Sequence, residues 1–231
     1  MVDYQCKKCY TVQDLIDIVR ILRGPGGCPW DQVQTHESIR RDLLEEAYEL
    51  VEAIDRRDPA NLKEELGDVL LQVAFHTVLE DEQGGMTLDD VADGVCKKLI
   101  YRHPHVFGEV TVSGTDEVLS NWEKLKQAEK DQKTAVDTLE AVARALPALW
   151  RAEKVQKKAQ KAGFSLPDPA ARKAELVRCV QELDGENAQQ VLGELLFAAV
   201  DLARAIGVDP EQALTLVTDR FIGQVAECEG T

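Results

Sequence analysis

The chain is 231 residues long and carries 27 basic against 42 acidic side chains, a formal net charge of −15. Such a charge repels nucleic acid polymers and anionic membranes, and it admits a nucleotide polyphosphate only beside a divalent cation or a local basic cluster. With 44% hydrophobic, 30% charged and 5% aromatic residues, the composition excludes a disordered chain and favours a helical core of Leu, Val, Ile and Ala.

The N-terminal MVDYQCKKCY lacks the apolar stretch of a signal peptide, and no apolar run approaches the ~18 residues of a membrane span. Six scattered cysteines (Cys6, Cys9, Cys28, Cys96, Cys179, Cys228) fit reduced thiols of a cytoplasmic protein. Cys6 and Cys9 form a CxxC without the second pair that a zinc site requires, and are taken as incidental. Apolar residues recur at helical spacing from Val12 to Leu22, and Gly24-Pro25-Gly26-Gly27 stops them. A loop, CPWDQVQTHES, follows. A second helix is expected from Ser38 to Arg56, burying Leu43, Leu44, Ala47, Leu50, Val51 and Ile54.

Asp58-Pro59 reads as an N-cap with proline in the first helical position. It opens a third helix, Pro59 to Glu80, whose buried stripe is Leu62, Leu66, Val69, Leu70, Val73 and Ala74. After Gly84-Gly85, Thr87 to Asp90 forms a capping box for a fourth helix that reaches Tyr101, ahead of His103-Pro104. An irregular stretch from Val106 to Gly114 leads into a charged helix from Thr115 to Lys133. No set of alternating strands is present. LGDVLLQVAFH (Leu66 to His76) matches LGELLFAAVDL (Leu192 to Leu202) at a fixed offset, and GFSLPD (Gly163 to Asp168) loosely matches GCPWD. The expected fold is therefore all-α, with two tandem helical bundle units. Residues 1–130 form the first, a polar linker covers 131–138, and residues 139–231 form the second.

Glu46 and Glu49 share one face of the second helix, and Glu65 and Asp68 repeat that spacing on the third. The break at Arg57-Asp58 leaves so few connecting residues that the two helices must form an antiparallel hairpin. Pairs equidistant from position 57, Glu46 with Asp68 and Glu49 with Glu65, then face one another. Each borders the apolar stripe, at Leu50 and Leu66, instead of sitting opposite it. Hard oxygen ligands gathered this way suit magnesium or manganese, and without a cation they repel.

Glu45-Glu46-x-x-Glu49 followed by Glu64-Glu65-x-x-Asp68, with CPWD upstream and RHPHVFG and NWEKLK (Asn121 to Lys126) downstream, resembles the N-terminal unit of MazG proteins. The resemblance implies a tightly packed all-α fold and a homodimer whose subunits contribute to each other's sites. It implies hydrolysis of nucleoside triphosphates to monophosphate and pyrophosphate, with magnesium held by Glu46, Glu49, Glu65 and Asp68. Clearing unwanted nucleotides from the pool is the expected role.

Within that picture Glu45 and Glu64 could accept the attacking water's proton or simply pair with nearby cations. Lys97, Lys98, Arg102 and His103 form the densest basic cluster of this half and suit phosphate contact, or the capping of a helix end. Trp30 could stack on a base or close a core. Lys126 and Trp122 are nucleotide contacts or packing, and Arg23 is a further phosphate candidate. The glycine loop is no P-loop, because the Gly-Lys-Ser/Thr ending is missing.

At the repeat offset, Arg172 stands for Glu46, Glu175 for Glu49, Val191 for Glu65 and Glu194 for Asp68. Ala171 and Gln190 replace Glu45 and Glu64. The second unit is therefore expected to be structural or regulatory. Three rival readings exist: a dUTPase-like or phosphoribosyl-ATP pyrophosphohydrolase, a di-iron bundle, and a non-catalytic helical regulatory or dimerisation module. The di-iron bundle fails for want of Glu-x-x-His motifs.

Overall fold

A computed structural model describes residues 2, 4–129, 134–165, 167–183 and 187–229, and every regular element among them is a helix. Two compact units divide the chain, Met1–Val112 and Ser113–Thr231.

The first unit contains α1 (Val12–Arg23), α2 (Pro29–Gln32), α3 (Arg40–Arg56), α4 (Pro59–Asp81), α5 (Leu88–Arg102) and α6 (Pro104–Phe107). Thr11 and Asp14 cap α1 reciprocally: the Asp14 carboxylate accepts from the Thr11 N–H at 2.8 Å and the Thr11 hydroxyl accepts from the Asp14 N–H at 3.3 Å. Past its end the chain folds back on itself. The Cys28 N–H reaches the Leu22 carbonyl at 2.7 Å, and a Cβ on Gly27 would lie 2.3 Å from the Ile21 and Leu22 oxygens. No side chain fits there. Where a plain loop is expected, α2 and α6 each form one helical turn, both opened by proline at a first position (Pro29, Pro104) that needs no N–H donor.

The α3–α4 hairpin turns within two residues. Arg57 takes the left-handed conformation (φ 55°, ψ 41°) that stops α3. The Asp58 carboxylate then accepts from the Ala60 and Asn61 N–H groups at 3.0 and 3.2 Å, starting α4. The unit's core lies at the far end of this hairpin, where α1 packs on α4. Ile16, Val19, Ile39, Ala74, Phe75, Val78 and Leu79 are buried together.

Of the stripe expected to be buried on α3, Leu44, Val51 and Ile54 are exposed and Leu43, Ala47 and Leu50 are half-buried. Only Ala53 of that helix is buried, while Ile54 and, on α4, Leu66 remain 55% and 52% accessible. Leu70 is also exposed. The periodicity is right, but α1 packs on the distal part of α4, and among the described residues of this unit the apolar face beside the turn is only partly covered.

The second unit contains α7 (Thr115–Glu129), α8 (Ala135–Glu140), α9 (Ala148–Lys161), α10 (Pro169–Gln181), α11 (Ala188–Ala205) and α12 (Pro210–Glu229). Of the expected linker, residues 131–133 lie outside the described residues. Its remainder begins α8, because Thr134 and Asp137 form another capping box. The division at Val112 also places α7 with the second unit, earlier than the expected boundary at residue 130.

A second hairpin pairs α10 with α11, and α9 packs on α11 and α12. Its interior is partly polar. The Gln156 amide, 1% exposed, donates to the Phe197 carbonyl at 2.8 Å. The buried Arg172 donates to Asp201, whose other oxygen accepts from Arg204 at 2.8 Å. None of the six cysteines is in a disulfide, and no helix among the described residues is long and apolar enough to cross a membrane.

Candidate active site

The tight turn at Arg57 brings the acidic faces of α3 and α4 together. One carboxylate oxygen from each of Glu46, Glu49 and Glu65 lies within 4.8 Å of the others, and Asp68 adds its field to the same group. Glu65 is only 7% exposed, and its buried Oε2 has no hydrogen-bond partner. A buried carboxylate oxygen left without a donor is costly, and native structures rarely keep one unless an ion or water satisfies it. No ion pair or hydrogen bond joins any of the four carboxylates to a cationic side chain among the described residues.

The electrostatics follow from this. Loss of solvent, then Asp68, Glu49, Glu65 and Glu45 in that order, raise the Glu46 pKa above its ordinary value. Loss of solvent, then Glu49, Asp68, Glu64 and Glu52, do the same to Glu65. The donor set is all hard oxygen, crowded and uncompensated, which is what a divalent magnesium or manganese ion fits. Glu45 and Glu64 are exposed beside Glu46 and Glu65. Glu52, one turn beyond Glu49, is a fifth acid that adds its charge to Glu65 and pairs with Arg56. Its i+3 spacing from Glu49 was the available signal.

The basic candidates are placed differently. Lys97 pairs with Asp93 one turn earlier at 2.5 Å, and Lys98 is exposed. Arg102 is buried at the end of α5. His103 joins α5 to α6, its Nδ1–H donating to the Leu99 carbonyl at 2.6 Å. Lys97, Lys98 and His103 make no hydrogen bond or ion pair with the four carboxylates. Trp30 closes no core: on α2 its side chain stands in solvent, with the residue 59% exposed. Lys126 belongs to the second unit, its ammonium 4.9 Å from the centre of the Trp122 ring.

Arg23 is not a phosphate ligand here. Its side chain is 7% exposed, and Nε and Nη2 both donate to Glu82 at 2.8 Å. Nη1 donates to the Asp31 and Gln34 carbonyls, and the guanidinium stands 5.2 Å from the Phe75 ring centre. The side chain ties the Trp30 segment to the end of α4. A second tie, unforeseen in the sequence, stacks His36 on His76 with their Nδ1 atoms 2.8 Å apart, while His36 Nε2 lies 3.0 Å from Glu80.

On the second hairpin, Glu175, Glu194 and the buried Cys179 also offer ligand atoms within 4.8 Å. A guanidinium already sits among them. Arg178 donates to Glu175 through Nε and Nη2 at 3.1 and 2.6 Å, to Glu194 at 3.3 Å, and to Glu182. Those bonds hold the Glu175 pKa below the ordinary carboxylate value.

A family model described as the MazG nucleotide pyrophosphohydrolase domain matches residues 34–107, which include all four carboxylates. The chain is 39% identical over 221 residues to the nucleoside triphosphate pyrophosphohydrolase/pyrophosphatase MazG of Thermotoga maritima, covering 94% of this chain and 85% of that one. The chain belongs to the MazG family. A nucleoside triphosphate pyrophosphohydrolase of Escherichia coli is 37% identical over 228 residues, with 94% and 87% covered. An uncharacterized protein of Bacillus subtilis, YabN, is 43% identical over 222 residues, and there the chain spans only 45% of the relative's length. This MazG chain is thus an enzyme of the pyrophosphohydrolase class, and the motifs that place it there are the ones the α3–α4 turn draws together.

Proposed function

We propose that this MazG enzyme hydrolyses nucleoside and deoxynucleoside triphosphates to monophosphates and pyrophosphate, with magnesium as cofactor, and so clears unwanted nucleotides in the cytoplasm. The observation that carries the reading is the crowding of Glu46, Glu49 and Glu65 within 4.8 Å around an unpartnered buried oxygen of Glu65. Glu46, Glu49, Glu65 and Asp68 would hold the metal, which when bound supplies charge neutralisation at the phosphoryl oxygens.

The rest is the work of side chains. A water attacks the α-phosphorus, the bond to the bridging oxygen of the β-phosphate breaks, and pyrophosphate leaves. The water's proton passes to a carboxylate, for which the exposed Glu45 and Glu64 and the crowded Glu46 are the candidates. Lys97, Lys98, Arg102 and His103 are the cations assigned to the phosphates. In that role Lys97 exchanges Asp93 for substrate, at little cost for an exposed pair. Trp30, standing in solvent, is assigned to the base.

A homodimer belongs to the same reading, since a second copy would cover the apolar side chains that α3 and α4 leave exposed (Leu44, Val51, Ile54, Leu66, Leu70). The test is release of pyrophosphate from ATP, GTP, CTP and dUTP with magnesium and with EDTA. Pyrophosphate appearing only with magnesium supports the reading, and orthophosphate release or metal-independent turnover would sink it. Sedimentation of the intact chain as a single-copy species would remove the dimer.

A further inference from the structure

The second unit carries a cavity of about 550 Å³ between α10 and α11, within the range of small-molecule sites. Its surface is mostly apolar, with Pro167, Gly193, Phe197 and Ala198 on the lining, and Arg172, Glu175, Gln190, Glu194 and Asp201 line it too, showing few polar atoms to the space. These residues stand at the repeat offset from the first hairpin's acidic cluster, yet the chemistry has changed.

Arg172 is 7% exposed and Asp201 5%. The Arg172 Nε–H is committed to Asp201, whereas its two terminal amino groups have no bond among the described residues. A nearly buried guanidinium thus presents a fixed pair of donors to the cavity. Acceptors stand on the same lining: Glu194 accepts one bond from the Gln190 amide at 3.0 Å and one from Arg178, leaving lone pairs over.

Two further features shape the space. Gly193 lies in the interior of α11, where glycine weakens a helix relative to alanine. A Cβ there would touch nothing within 4 Å, so packing does not require the glycine. Its effect is to leave the cavity wall flat. One turn further along the same face of α11, Phe197 offers a ring, and its backbone is pinned by the buried Gln156.

The charges select the ligand. Three carboxylates and one guanidinium line the cavity, and Arg178 and Arg204 behind them bring the group close to neutrality. A polyphosphate would meet carboxylates, and the Glu175–Glu194 pair that might have held a metal is already bridged by Arg178. A flat, uncharged heterocycle with adjacent acceptors on one edge and donors on another suits all the walls. We propose that this cavity is a metal-independent site for a 6-oxopurine nucleoside, its O6/N7 edge on Arg172, its N–H groups facing Glu194 and Gln190, and its ring on Phe197.

The test is calorimetric titration of the full chain in EDTA with guanosine, inosine, adenosine and cytidine. Guanosine and inosine should bind at least about tenfold more tightly than adenosine or cytidine, the discrimination of one bidentate contact. Gly193→Leu, which adds a good helix former and fills the cavity, should abolish binding while leaving pyrophosphate release intact. Phe197→Ala should weaken binding and Glu49→Gln should leave it unchanged. Absence of heat with every nucleoside, a requirement for magnesium, equal loss in Glu49→Gln, or undiminished binding in Gly193→Leu would each overturn the assignment.

Discussion

The two hairpins, α3–α4 and α10–α11, are built alike and handle negative charge in opposite ways. In the first, carboxylates crowd together with no cationic partner among the described residues, one oxygen is buried without a donor, and two pKa values rise. In the second, Arg178 threads between Glu175, Glu182 and Glu194, and the Glu175 pKa falls. A hairpin that retains its own cation has no need of a foreign one. The difference shows how a few substitutions turn a site that calls for an ion into one that is electrostatically complete.

The sharpest way to break this comparison is to neutralise carboxylates on each side. Glu49→Gln or Glu65→Gln should lower magnesium-dependent pyrophosphate release by about 100-fold or more, beyond what even indirect supports of a metal site cost. The double variant Glu175→Gln/Glu194→Gln should leave the rate unchanged. Equal losses on the two hairpins would end the distinction.

Next in size is a proton effect. Because the folded-state pKa values of Glu46 and Glu65 are raised, their repulsion is fully felt above those values. It fades as the pH falls through them, when the native state takes up protons that the unfolded chain does not hold. Magnesium should therefore raise Tm most near neutral pH and progressively less as acid protonates its ligands. Thermal melts across a pH series, with and without the ion, read this directly, and a magnesium shift that ignores pH would count against the site.

Smaller again is Arg178→Met, which should lower the melting temperature by a few degrees. Pairing it with Glu175→Gln/Glu194→Gln should restore most of the loss, a coupling that only a shared charge network produces. The smallest effect concerns the turn alone. Arg57→Gly relieves a left-handed residue and should stabilise the chain by about 0.5–1 kcal/mol in urea titrations, with no change in turnover.

Much of this was legible before any coordinates. The Thr87 capping box, the Asp58-Pro59 start and the symmetry of the four acids about position 57 are all local signals, decided within a few residues. What escaped were contacts between distant positions. Periodicity found the apolar stripe of α3 but could not say that Leu44, Val51 and Ile54 of it stay exposed. Arg23 read as a loose cation beside glycines, whereas its partner Glu82 is 59 residues away. The His36–His76 stack spans 40 residues. On the second hairpin the exchange of Glu46 for Arg172 was visible, but its pairing with Asp201 was not. Arg178 stood in plain view at i+3 from Glu175, and nothing in a linear string distinguishes a bridging cation from one that points into water.

Arg23 has a consequence of its own. Its single planar fork satisfies a carboxylate with two parallel bonds, two peptide oxygens and an aromatic face, five demands that a lysine ammonium cannot meet from one point. Even the mildest change of that residue should therefore loosen the segment carrying Trp30. Were Trp30 to hold the base as proposed, a lesion far from the acids in the sequence would surface as poorer nucleotide capture, with the acids themselves untouched.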